Sequence, residues 1–257
     1  MASQVRLETL DGVARITFAR PERLNAFDFA MGRDYRDACL AATSDASTRA
    51  IVISAQGRAF CAGGDVLAMA EGGAGPQVTE SAHAIHEGIA ALVGSPIPVA
   101  AAARGAVAGG GIGLLLAADY VIAGEDLRVA GKYSDIGLTP DLGVSTLLTR
   151  AVGERRALQI LLGGLELDAE AALAWGVAAE VAADPEERAL GLARRWAQAA
   201  SGALGQAKRL VRASSARPFH DSLADEAHTI GRAFDGEEAK ARIAAFAKAS
   251  ASRGAAR

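Results

Sequence analysis

The stretch AVAGGGIGLLLAAD, residues 106–119, sets three consecutive glycines directly before an apolar run of helical character. Glycine is a poor helix former, so its use here points to a backbone that must bend sharply or let another group approach closely. At a helix start the second reason gains weight. The N–H groups of the first turn have no partner inside the helix and carry the positive end of its dipole. Such a start can hold an anion, either a phosphate or an oxyanion formed during a reaction. Spacing argues against two phosphate-binding patterns. Counted from Gly109 or Gly111, a G-x-G-x-x-G/A fingerprint puts Leu114 or Leu116 where its third small residue must stand, and no G-x-x-x-x-G-K-[ST] occurs. Tight packing of a helix on a strand is the remaining plain use of the three glycines.

Around this stretch the chain alternates β and α patterns. Val5, Leu7 and Thr9, then Ala14, Ile16 and Phe18, alternate on either side of Asp11-Gly12, which predicts a hairpin. The segments 50–55, 97–103 and 119–124 read as buried strands separated by helical patterns, the signature of a layered α/β domain. Asp168 is placed to cap a helix that Gly176 ends, and Asp184 before Pro185 opens another. Beyond residue 201 only helical spacing is found, through Leu204, Leu210, Phe219, Ile230 and Phe234, with a last helix expected from Glu237 to Lys248. This divides the chain into a core, 1–200, and a C-terminal helical region, 201–257, whose apolar stripes call for a neighbouring surface.

Composition excludes several partners. With 27 basic and 30 acidic residues in 257, a formal charge of −3 and no basic run, neither nucleic acid nor a membrane surface is expected. The N-terminal MASQVRLETL has no basic region followed by an apolar stretch, and the two cysteines, Cys39 and Cys61, suit a reducing compartment, so the expectation is cytoplasmic. His83, His86, His220 and His228 show no compact ligand spacing, and no metal is expected.

A second glycine segment, GRAFCAGGDV (57–66), follows the predicted strand 50–55. Together with LNA (24–26), AVAGGGIGLLLAAD, GLTPDLGVS (137–145), RAVGERRAL (150–158), AWGV (174–177) and IAAF (243–246), in that order, it resembles the crotonase superfamily, the enoyl-CoA hydratase/isomerase family, over nearly the whole chain. The resemblance implies an α/β fold, a crotonase-like spiral of ββα units with a C-terminal helical region that assembles trimers or dimers of trimers. It implies an acyl-CoA thioester as substrate, with coenzyme A part of that substrate and no separate cofactor. Two backbone N–H groups that polarise the thioester carbonyl map onto Ala62 and Gly110. Arg23, Leu24, Gly64, Asp65, Val66, His86, Tyr133 and Phe246 are expected near the CoA or acyl group as substrate-binding positions. Position 249, where relatives often carry lysine, is alanine beside Lys248.

Reaction type turns on the carboxylates. Hydration in this family resembles a two-glutamate reaction, but the matching positions here are Gly113 and Tyr133. Asp141, in GLTPD, instead matches the acid/base of family members that move double bonds; taken alone it reads equally as a turn or helix cap. Asp65 can brace its loop or meet ligand. His86, twelve residues before Pro98, shares a spacing with aryl-CoA dehalogenases whose nucleophile falls on Asp141, and it reads otherwise as a packing histidine. An enoyl-CoA isomerase using Asp141 is therefore the expectation. The alternatives are hydration, dehalogenation, or acyl-CoA binding without catalysis.

Overall fold

The chain is described by a computed structural model covering residues 3–72 and 74–254. At Asp11 and Gly12 the backbone has φ of +51° and +77°, the pair of positive values a tight two-residue hairpin needs. It joins β1 (Val5–Leu10) antiparallel to β2 (Val13–Phe18). After α1 (Phe29–Ser44) comes β3 (Ala50–Ala55), then the short α2 (Val66–Ala70) and the long α3 (Gly75–Gly94). β4 (Val99–Ala103), β5 (Ala106–Ala108) and α4 (Gly111–Leu116) carry the triple glycine, followed by β6 (Tyr120–Gly124) and β7 (Arg128–Ala130). Then follow α5 (Val144–Val152), α6 (Glu154–Leu161), β8 (Leu167–Asp168), α7 (Ala169–Trp175) and β9 (Glu180–Ala182). Four helices complete the chain: α8 (Pro185–Gln198), α9 (Ser201–Ser214), α10 (Phe219–Asp235) and α11 (Glu237–Gly254).

A six-stranded sheet of order β1-β2-β3-β4-β6-β9 is parallel except for the hairpin, and a three-stranded sheet of order β5-β7-β8 lies beside it. The two are built from one repeated move. β4 leads within a few residues to β5, and β6 to β7, so that each long strand feeds a short one in the second sheet. After β3 the same position is taken by Cys61, which bridges to Val107 of β5. These are the ββα units of the crotonase-like spiral.

Strands covered on both faces read as continuous apolar runs. Ile51 and Ile53 face the core under α1 and α3, while Val52, Ala100 and Ala102 face Ala189, Leu192 and Ala193 of α8. Caps follow the sequence: Asp168 accepts from Ala171 N–H at 2.8 Å, Gly176 ends α7 in the left-handed region, and Asp184 accepts from Glu186 and Glu187.

Beyond residue 201 the described chain is helical, and α9 is fixed to the core. Lys208 Nζ donates to the carbonyls of Leu92 and Ile97, and Asp119 is held by Lys208 and Arg212, each at 2.8 Å. α10 and α11 are different. Phe219, Ile230, Phe234 and Phe246 are each more than three-fifths exposed. The last helix runs past Lys248 to Gly254, and residues 255–257 of the low-complexity tail lie outside the described residues. Among the described residues no helix is long and apolar enough to cross a membrane, and no three His, Cys, Asp or Glu side chains group as metal ligands.

Candidate active site

The two glycine segments meet back to back. A Cβ on Gly63 would lie 2.9 Å from the Ala108 carbonyl, and one on Gly109 would lie 4.0 Å from the Gly63 Cα. Both residues have positive φ, +98° and +51°, so glycine is required for conformation as well as contact. Bonds from Phe27 N–H to the Gly63 carbonyl (2.8 Å) and from Asp65 N–H to the Phe27 carbonyl (2.9 Å) hold the first segment on both sides of Gly64. Gly64 and Gly110 thereby line one cavity of about 300 Å3, whose other walls include Phe27, Met69, Ile85, Leu114, Tyr133 and Asp141.

One assigned donor is corrected by this geometry. The Ala62 N–H donates to the Leu24 carbonyl at 3.0 Å and has no second hydrogen to offer a substrate. Two residues on, the exposed Gly64 donates its N–H to nothing among the described residues. Gly110, directly before α4, also has an uncommitted N–H. Gly64 and Gly110 therefore each present an uncommitted N–H among the described residues lining the cavity, with Ala62 securing the loop.

Asp65 is committed to that loop. Its carboxylate, 3 % exposed, accepts from Ala68 N–H at 3.1 Å as the cap of α2 and forms ion pairs at 2.8 Å with both Arg20 and Arg23. Burial works to raise the Asp65 carboxyl, but the bonds from Arg23, Ala68 and Arg20 outweigh it and hold it at about 2. Its oxygens brace the loop and are not left open for a ligand. Arg23, Leu24, Gly64, Asp65 and Val66 all line a groove that continues from the cavity, sharing Ala62, Gly64 and Val66 with it. Arg58 lines the same groove; the sequence reading passed over it, although it stands directly before AFCAGGD. Phe246 joins neither cavity nor groove within one chain: it stands exposed on α11.

The opposite wall is made of side chains. Asp141 is not a helix cap; α5 begins from Gly143, and the Asp141 carboxylate accepts the Tyr133 hydroxyl at 2.8 Å instead. The same hydroxyl oxygen accepts the Asp141 N–H at 3.3 Å. Asp141 Oδ1 would lie 3.3 Å from a Cβ on Gly110, so the carboxylate adjoins the uncommitted N–H groups. Although the residue is open to solvent on the cavity side, desolvation raises its carboxyl above the ordinary aspartate value, opposed by the Tyr133 hydrogen bond and by the charge His86 carries when protonated. Burial and the neighbouring carboxylate together push the Tyr133 hydroxyl well up, so it remains protonated and donates. His86, expected to bind substrate, does not line the cavity. Its Nε2 accepts the Leu142 N–H at 3.2 Å. Asp135, the neighbouring carboxylate, sits at the rim with Lys132, which is paired with Glu166 at 2.7 Å.

At position 113 the backbone itself fills the space. A Cβ there would lie 2.0 Å from the Leu142 carbonyl oxygen, so no side chain fits beneath the 138–143 loop.

This combination of glycine loops, spiral and cavity is shared with known proteins. The profile of the family "Enoyl-CoA hydratase/isomerase" matches residues 8–251. The chain is 35% identical over 229 residues to "Probable enoyl-CoA hydratase EchA14" of Mycobacterium tuberculosis, covering 89% of this chain and 88% of that protein. It is 32% identical over 235 residues to 1,2-epoxyphenylacetyl-CoA isomerase of Escherichia coli, covering 88% and 90%. A crystal structure of an enoyl-CoA hydratase from Polaromonas superposes with a TM-score of 0.89 at 29% identity, covering 95% of this chain and 96% of that one. The ordered motifs, the ββα spiral built on them and these matches across almost the full length make the chain a member of the enoyl-CoA hydratase/isomerase family.

Proposed function

We propose that this family member shifts a carbon–carbon double bond in an enoyl-CoA thioester, with Asp141 as both acid and base. The observation that carries the reading is the contrast across one cavity. A carboxylate, Asp141, stands beside the Gly110 backbone, while positions 113 and 133 hold a glycine that admits no side chain and a tyrosine. That supports one-carboxylate chemistry over the two-carboxylate addition of water.

In this mechanism the thioester oxygen lies against the N–H groups of Gly64 and Gly110. Asp141, as carboxylate, takes a proton from C2 of a 3-enoyl thioester. The electron pair moves through the carbonyl to oxygen, and the dienolate charge is stabilised by the two N–H donors. The carboxylic acid then returns the proton at C4, leaving the conjugated 2-enoyl thioester and the original carboxylate. A raised Asp141 carboxyl suits the first step, because a carboxylate with a weaker conjugate acid is the stronger base towards C2. The CoA portion would occupy the groove beside Arg23 and Arg58.

Conversion of a 3-enoyl-CoA to its 2-enoyl isomer tests the proposal, with water addition followed separately. Asp141→Asn keeps shape and should lower isomerisation by about two to four orders of magnitude, a range expected for loss of a general acid/base, with acyl-CoA binding nearly intact. Unchanged turnover in that variant, or efficient hydration by the native chain, overturns the mechanism. Binding of a panel of thioesters without turnover of any would favour a non-catalytic role. Aryl-CoA dehalogenation, with Asp141 as nucleophile, has less support because the His86 Nε2 that would activate water is occupied by Leu142 N–H. Chloride release from a 4-chlorobenzoyl thioester reads that alternative directly.

The proposal extends to assembly. The exposed aromatic and aliphatic side chains of α10 and α11 support a trimer or dimer of trimers, in which a neighbouring copy covers them. Sedimentation at micromolar concentration should find three or six chains, and a stable monomer contradicts this.

A further inference from the structure

The segment that carries Asp141 is an unusual piece of backbone. Gly137 and Gly143 have φ of +69° and +77°, and between them Leu142, a branched residue, has φ of +48°. Leucine rarely adopts that conformation, so surrounding contacts must hold it there. Three of them are found. The Tyr133 hydroxyl grips Asp141 through both its carboxylate and its N–H, the Leu142 carbonyl lies over Gly113, and the His86 Nε2 accepts the Leu142 N–H at 3.2 Å. The third contact comes from α3, an element with no other hydrogen bond to this segment among the described residues.

We infer that His86 is a positioning residue for Asp141: as a neutral imidazole with Nε2 bare, it fixes the Leu142 N–H and so sets where the adjacent carboxylate stands against Gly64 and Gly110. This deepens the isomerase reading and rests on it for its effect on turnover. The hydrogen bond fixes the tautomer, since an acceptor Nε2 in a neutral ring requires the proton on Nδ1. A second proton on the ring would set N–H against N–H and remove the contact. The charged and titratable groups around His86 are Asp141 on the facing loop with Tyr133 bound to it, and His83 one turn back with ring centroids 6.1 Å apart. On the packed helix α1 stand Arg33 and Arg36, the latter paired with Asp37 at 2.8 Å and 4.0 Å from Glu87. Of these, the Asp141 segment is what His86 is bonded to.

Two variants separate positioning from proton transfer. In His86→Gln an amide oxygen can accept the same N–H; in His86→Leu nothing can. Because displacement of a catalytic group by about 1 Å can reduce turnover about 100-fold, His86→Leu should lower kcat by roughly 10- to 100-fold with KM little changed, and His86→Gln should recover it to within about fivefold of native. Nitrogen-15 NMR of the native chain, with His86 assigned by its disappearance in His86→Gln, should find Nε2 unprotonated and Nδ1 protonated at neutral pH. That measurement needs no activity. If the native chain isomerises nothing, the isomerase reading fails while the NMR result still judges the contact. A protonated Nε2, a His86→Leu variant with native kcat, or a His86→Gln variant as impaired as His86→Leu each overturns the inference.

Discussion

The two walls of the cavity are built from different materials. One is backbone: Gly63, Gly64, Gly109 and Gly110 bring two uncommitted N–H groups to the surface, and the nearby side chain of Asp65 is turned away into ion pairs with Arg20 and Arg23. The other is side chain: Tyr133, Asp141 and, behind them, His86. A backbone N–H cannot be removed by ordinary substitution and has no charge to tune. It can stabilise an enolate oxygen whatever happens to the rest of the acyl group. In the proposed mechanism the side-chain wall decides where protons go. On that reading the first wall serves any enolate and the second sets the reaction type.

The sharpest break in this contrast is at Gly110. Its φ of −57° already suits proline, so Gly110→Pro deletes the N–H with little backbone penalty, although any Cβ there would stand 2.6 Å from the Leu142 Cδ1 and must displace that methyl. Gly110→Ala introduces the same crowding while keeping the N–H. Turnover in Gly110→Pro should fall about 10²- to 10³-fold or more, whereas Gly110→Ala should lose no more than about tenfold. Steady-state kinetics on folded protein checks this, and equal losses in the two would remove the N–H from the mechanism. Asp141→Asn sharpens the other side, because it should abolish proton transfer while the backbone wall still binds the thioester.

A smaller effect is expected at the support of the backbone wall. Asp65→Asn leaves Arg20 and Arg23 without their buried carboxylate and should destabilise the fold by roughly 2–3 kcal/mol. The native Asp65 carboxyl is held down at about 2 against its ordinary 3.8, so its stabilisation is complete above the ordinary value and is lost as pH falls towards about 2. Denaturant titrations of native and variant chains should therefore differ at pH 7 and converge in strong acid. A gap that persists at low pH would assign the effect to packing.

Long apolar strands and capped helices were legible because their signals are local. The runs at 50–55 and 97–103 are buried on both faces, and Asp168 and Asp184 cap within three residues of themselves. The short strands β5, β7 and β8 span two or three residues, too few to show a period. The buried stripe of α1, Met31, Gly32, Tyr35, Ala38, Cys39 and Ala42, is made mostly of small residues, which weakens its helical signal. In the site, the motif located both loops but could not say which N–H of CAGGD is open. That is decided by the Leu24 carbonyl, which reaches Ala62 from far along the chain. Nor could spacing reveal that His86 would bond Leu142, 56 residues away.

The carbonyl of Leu142 over Gly113 also limits what substitution can do to the protein. A glutamate at 113 is one of the two changes that two-carboxylate chemistry would need, the other being at 133, yet it meets backbone and not a yielding side chain. A side chain at 113 fits only if the 138–143 loop moves, and that loop carries Asp141. On the proposed mechanism the two chemistries therefore compete for one stretch of backbone: the loop position that seats Asp141 is the one that leaves no room at 113.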